Sequence, residues 1–182
     1  MRRVYVPEGE TPIANVNWRY EWLWLYAFVH PQSGQTYYWI LPYVNTELRM
    51  KSRRGFLGVR FTKQFNRVLA DVAQEFGLGA NKRFLIVLDQ AGWHTSKNLI
   101  IPDGIHLLHL PSHSPELQPA ERLWTLTNEP IANRTFDSLD ELEAVLYSRC
   151  EYLLTQPEQI RGLTNFHWWP QTSSLSSPIA RT

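Results

Sequence analysis

Cysteine is almost absent from this chain: Cys150 is the only one in 182 residues. A single thiol builds neither a disulfide framework nor a cysteine zinc site, and it suits a reducing cytosol. An excess of either charge is missing as well, since 18 Lys and Arg stand against 17 Asp and Glu for a formal net charge of +1. The overall balance therefore points to no particular charged partner. No apolar run approaches the ~18–20 residues needed to span a bilayer. The opening Met1-Arg2-Arg3-Val4-Tyr5 lacks the apolar stretch of a secretion signal, so a soluble intracellular protein without a membrane partner is expected. There is no glycine-rich phosphate loop, no Gly-x-Ser-x-Gly elbow and no His-Glu-x-x-His helix. The usual sequence marks of nucleotide-binding loops, α/β-hydrolases and helix-borne zinc sites are thus lacking.

Aromatic residues, in contrast, are plentiful, with eight Trp in the chain. Trp22, Trp24, Trp93 and Trp124 read as core in preference to base-stacking platforms. Residues 19–30 place Tyr20, Trp22, Trp24, Tyr26 and Phe28 at alternate positions, the period of a strand. Turn chemistry follows at His30-Pro31-Gln32-Ser33-Gly34, and residues 36–41 complete a hairpin. Residues 1–16 form an irregular lead-in, and residues 48–60 are the least regular part of the middle. Phe61, Phe65, Val68, Leu69, Val72 and Phe76 then keep the rhythm of an amphipathic helix stopped at Gly77. Ser138-Leu139-Asp140-Glu141 is a capping box that opens a helix with Leu142, Val145, Leu146, Cys150 and Leu153 on one face. The Ser-rich tail 171–182 has the composition of a disordered segment.

Chemistry concentrates between residues 84 and 124. Two short apolar runs, 84–88 and 105–110, read as strands buried on both faces, and each ends in a polar loop. The carboxyl ends of such strands are where open α/β sheets present their sites. Asp89 closes the first run. Residues 95–100 read as a short helix, and Pro119 suits the first position of another, reaching about residue 127, which puts Glu121 in its first turn. Two carboxylates converging there could hold a hard divalent cation such as Mg2+ (or Mn2+), and a pair of such ions stabilises both oxygens of a phosphodiester displacement. The plain alternative for Glu121 is an acid stabilised by a helix N-terminus. Asp89, His94 and Ser96 have the residue types of a hydrolase triad but share one loop, and His94, His109 and His113 are the types of a zinc set without a supporting motif. Arg49, Lys51, Arg53, Arg54, Arg60, Lys63 and Arg67 form a basic run free of acids, which either grips phosphates or is a solvated face.

Leu88-Asp89-Gln90-Ala91-Gly92-Trp93-His94-Thr95-Ser96, followed by His109-Leu110-Pro111-Ser112-His113-Ser114-Pro115-Glu116-Leu117-Gln118-Pro119-Ala120-Glu121-Arg122-Leu123-Trp124, resembles the catalytic domain of mariner-like DDE transposases, those of bacterial insertion sequences above all. Similarity extends to the hairpin, to residues 133–146 and to the closing Thr164-Asn165-Phe166-His167-Trp168-Trp169-Pro170. The resemblance implies an α/β, RNase H-like mixed sheet flanked by helices, with residues 1–170 as the catalytic domain. It implies metal-dependent DNA strand cleavage and transfer, with Asp89 and Glu121 as catalytic acids and metal ligands. His94, Lys97, Arg53, Arg54, Arg60, Lys63 and Arg67 become candidate DNA contacts. Transposon ends and target DNA would be the partners, with a homodimer or an association with full-length transposase, in the cytoplasm at the bacterial nucleoid. In that family a first catalytic Asp lies on a first strand upstream of the segment matching Arg2-Arg3-Val4-Tyr5, preceded by a helix-turn-helix region. Both are expected to be missing here, so the chain is expected to be inactive alone. The other expectation is a non-catalytic remnant that binds DNA or associates with intact transposase.

Overall fold

The structure is a computed structural model that describes Gly9, residues 22–43 and residues 54–169, with backbone alone at 22, 42, 43 and 54–60. Alternation decides the first element. β1 (Trp22–His30) and β2 (Gln35–Tyr43) pair antiparallel, with Tyr26 opposite Trp39 and Phe28 opposite Tyr37. Such cross-strand aromatic pairs hold a ladder in register. The turn needs Gly34, which sits at φ 72 and donates its N–H to the His30 carbonyl at 2.8 Å. The period of two gives the hairpin two apolar faces. Tyr26, Phe28, Tyr37 and Trp39 pack on one cluster, while Ala27, Val29 and Tyr38 pack on another.

The first of those clusters belongs to α1 (Arg54–Glu75), whose Phe65, Val68, Leu69 and Val72 are buried. The helix begins well before Phe61, so the end of the stretch expected to be irregular is helical: no proline interrupts 54–60, and glycine there costs only about 1 kcal/mol each. It ends as expected, with Gly77 at φ 58 and the Leu78 N–H closing on the Ala73 carbonyl at 2.8 Å. β3 (Phe84–Leu88) and β4 (Ile105–His109) pair in parallel and lay Ile86, Leu88 and Ile105 on the same α1 cluster. The expectation of burial on both faces fails here: Leu85 is 64 % and Leu108 50 % exposed, because the described elements cover one face of this pair.

The second cluster joins α2 (Leu123–Thr127), α3 (Leu139–Leu154) and α4 (Pro157–Thr164) through Leu123, Leu126, Leu153 and Ile160. Ser138 caps α3, its Oγ accepting the Glu141 N–H at 3.1 Å, while the Glu141 carboxylate reaches back to the Asp137 N–H at 3.0 Å, one residue upstream of the usual reciprocal partner. The described architecture is mixed α/β, with the hairpin between α1 on one side and α2 to α4 on the other. Among the described residues the strands form two two-stranded sheets, β1–β2 and β3–β4. Among the described residues no helix is long and apolar enough to cross a membrane. The lead-in at 1–16, apart from Gly9, and the tail 171–182 lie outside the described residues.

Candidate active site

β3 ends at Asp89 because the chain turns back on its own carboxylate: Oδ1 accepts the Ala91 N–H at 3.2 Å. The turn continues with the His94 N–H on the Ala91 carbonyl at 2.8 Å, which returns the His94 ring to Asp89. His94 Nδ1 stands 2.6 Å from Asp89 Oδ1. An ionised carboxylate can only accept, so Nδ1 carries the hydrogen. The imidazole is packed against the Phe65 ring at 4.5 Å between centroids and against Trp93 at 5.6 Å. Burial pushes its pKa down, a shift opposed by the hydrogen bond and charge of Asp89. On the other strand, His109 Nε2 donates to the His94 carbonyl at 3.1 Å.

The loop after β4 is tied to the same place. Leu110 N–H extends the ladder to the Leu88 carbonyl at 2.8 Å. Gln90 then clamps the two strand ends together, donating from Nε2 to the Leu110 carbonyl at 2.9 Å and accepting from Ser112 Oγ at 2.9 Å. His113 adopts φ 59, a left-handed conformation unusual for a side chain of its size. Pro115 and Pro119 each begin a 3-10 turn, Pro115–Leu117 and Pro119–Arg122, and the second runs into α2. Glu121 therefore stands in a 3-10 first turn, and Leu123, fully buried two residues on, anchors it to the core.

Asp89 and Glu121 line one cavity of about 310 Å3. Gln90, Ser112, His113, Ser114 and Gln118 complete its polar wall, and among the described residues no Lys or Arg lines it. The space equals roughly ten waters at ~30 Å3 each, enough for a hydrated ion together with a phosphate. Two carboxylates among amide and hydroxyl oxygens suit a hard cation of the Mg2+ or Mn2+ type, so the donor set fits. Among the described residues no group of three or more His, Cys, Asp and Glu converges, which also leaves the His94, His109 and His113 zinc set unformed.

The remaining expected site residues fall elsewhere. Lys97 is exposed in the loop after His94 and does not line the cavity. The short helix expected at 95–100 is replaced by turns. Asn66 on α1 takes the backbone groups a helix would use, donating to the Asn98 carbonyl at 3.1 Å and accepting the Ile100 N–H at 2.9 Å. Ser96 Oγ accepts the Asn98 N–H at 3.3 Å and among the described residues makes no hydrogen bond to His94, so the Asp89, His94 and Ser96 trio forms no hydrolase relay. Lys63 and Arg67 are exposed one turn apart on α1, hence on one face. Arg54 and Arg60 lie on the α1 backbone, and Arg49, Lys51 and Arg53 lie outside the described residues. Gln90, Ser112 and Gln118 were not singled out by sequence; their signal was position alone, polar side chains directly following two strand ends.

The carboxylate-lined cavity lies at the carboxyl ends of adjacent parallel strands, where open α/β sheets present their sites. Residues 54–143, which contain both acids, match the family model described as DDE superfamily endonuclease. The chain is also 29 % identical, over 148 residues, to the uncharacterized protein y4pE/y4sA of Sinorhizobium fredii (strain NBRC 101917 / NGR234), an alignment covering 81 % of this chain and 96 % of that protein. No solved structure gives a significant match.

Proposed function

We propose that this chain is the catalytic part of a mariner-like DDE transposase of the bacterial insertion-sequence type, directed at cleaving and joining DNA strands. The observation that carries the reading is the convergence of Asp89 and Glu121 on one oxygen-lined cavity within the segment that matches the DDE endonucleases. Asp89 and Glu121 would hold Mg2+ (or Mn2+) there, and the bound ion would stabilise charge on the attacking and leaving oxygens of the phosphodiester. The chain's own residues position that chemistry. Gln90 fixes the two strand-end loops relative to each other, and the buried Leu123 fixes Glu121. Lys97, Lys63, Arg67, Arg53, Arg54 and Arg60 are assigned to DNA phosphates, with His94 at the boundary between DNA and the metal site.

The fold assigned to residues 1–170 is RNase H-like, with β1–β2 and β3–β4 as parts of one mixed sheet separated by a further strand. Both pairs packing on one α1 cluster while remaining unpaired to each other supports this. Transposon ends and target DNA are the assigned partners. Joining two ends calls for a homodimer or for association with full-length transposase, in the cytoplasm at the nucleoid.

A second, dependent reading keeps the same assignments but not the cleavage: the isolated chain binds DNA or a complete transposase and does not cut. Positioning supplies most of the rate in such a reaction, and two ligands position a metal poorly. Supercoiled plasmid incubated with Mn2+ and the 182-residue chain is expected to show negligible nicking. Nicking by an intact transposase that carries this segment is expected to be abolished by Asp89→Ala. Nicking that persists in an Asp89→Asn, Glu121→Gln double variant would refute the assignment.

A further inference from the structure

Asp89 has two carboxylate oxygens, and the fold treats them differently. Oδ1 accepts both the Ala91 N–H at 3.2 Å and the His94 Nδ1–H at 2.6 Å, whereas Oδ2 has no hydrogen-bond partner among the described residues. His94 is itself held on three sides. Phe65 lies tilted against its ring at 4.5 Å, Trp93 meets it edge-on at 5.6 Å, and His109 Nε2 grips its carbonyl at 3.1 Å. Its side chain is 12 % exposed, against 58 % for Asp89. The imidazole is therefore built into the wall and the carboxylate is presented to the cavity.

From this geometry we propose that His94 is a positioning residue for the metal site: its Nδ1–H captures Asp89 Oδ1 and leaves Oδ2 as the single oxygen offered to the divalent ion. This rests on the metal-site reading of Asp89 and Glu121 and adds how the ligand is oriented. A hydrogen-bonded carboxylate loses the freedom to rotate about its Cβ–Cγ bond, so the ion meets a ligand already set. Removal of such an outer partner ordinarily weakens metal binding by 10–100-fold.

The test compares His94→Asn with His94→Leu in the 182-residue chain. The two side chains have nearly the same shape and both lose the aromatic packing; Asn keeps an N–H donor at the δ position and Leu does not. Mn2+ is titrated and the free-ion electron spin resonance signal is followed, with Asp89→Asn as the reference for loss of the ligand. The expected result is roughly tenfold weaker Mn2+ binding by His94→Leu than by His94→Asn, with His94→Asn within a few-fold of wild type and similar urea unfolding midpoints for the two variants. Equal Mn2+ affinities for the Asn and Leu variants, with Asp89→Asn still impaired, would overturn the positioning role and leave the metal site standing. Binding unchanged by Asp89→Asn would remove the metal-site reading and this inference with it. Should loss of the ring unfold both variants, His94→Phe against wild type takes their place, and unweakened Mn2+ binding by that variant overturns the proposal.

Discussion

Phe65 is the side chain on which the two strand pairs and the site loop meet. It is 1 % exposed, stacks on Tyr26 of β1 at 6.1 Å, lies tilted against His94 at 4.5 Å, and shares its cluster with Ile86 and Leu88 of β3. Truncation to Ala leaves a cavity worth about 3–5 kcal/mol, a large share of the ~5–15 kcal/mol that holds a domain together. Phe65→Leu is the more informative change because the core can close around it. It forfeits two ring contacts of ~0.5–1.5 kcal/mol each beyond area, so a loss of about 1–3 kcal/mol is expected. Urea unfolding measures the loss, and an exposed control, Leu154→Ala at 54 % exposure, is expected to shift stability by less than ~0.5 kcal/mol. The same variant frees one side of the His94 ring, so Mn2+ binding is expected to weaken along with stability. A Phe65→Leu protein as stable as wild type would refute the role of Phe65 as the shared contact. One that is destabilised but binds Mn2+ normally would show that the site loop does not depend on it.

Further expectations follow from single residues. Ser138→Ala removes the cap of α3 and is expected to cost ~1 kcal/mol in urea unfolding, with Ser138→Asp close to wild type. Gly34→Ala places a Cβ 1.8 Å from the Pro157 carbonyl oxygen at φ 72, whereas Gly77→Ala at φ 58 meets nothing within 4 Å. The second is expected to cost the ~1–2 kcal/mol of a left-handed residue and the first clearly more, compared by thermal unfolding. Burial pushes the Cys150 thiol up to about 11. Because the folded value is raised, this thiol's contribution to stability is complete below the unfolded value near ~8.5 and is lost as pH rises towards 11. Alkylation at pH 8 is expected to be slow in the native chain and fast in urea.

Much of the fold could be read from periodicity. Strict alternation from Trp24 to Phe28 and the helical rhythm from Phe61 to Phe76 reappear in the structure because each pattern commits a face to burial. Ser138 and Pro119 mark helical starts for local reasons, a side-chain acceptor and a preset φ, and local reasons survive folding. What failed depended on distant partners. The turns at 95–100 follow from Asn66 on another element, and the exposure of Leu85 and Leu108 depends on what covers that face. The strand end picked out Asp89 and the helical start at Pro119 picked out Glu121, but their meeting in one cavity, the clamp by Gln90 and the capture of Oδ1 by His94 are tertiary facts that spacing does not encode.

The most direct test of Asp89 and Glu121 as one metal site is a double-mutant cycle of Mn2+ affinity. Wild type, Asp89→Asn, Glu121→Gln and the double variant are titrated under one set of conditions. Two ligands of one ion are strongly coupled, so each single change is expected to remove most of the affinity and the double variant to bind little worse than either. Strictly additive losses, or binding indifferent to one of the two acids, would contradict a shared site.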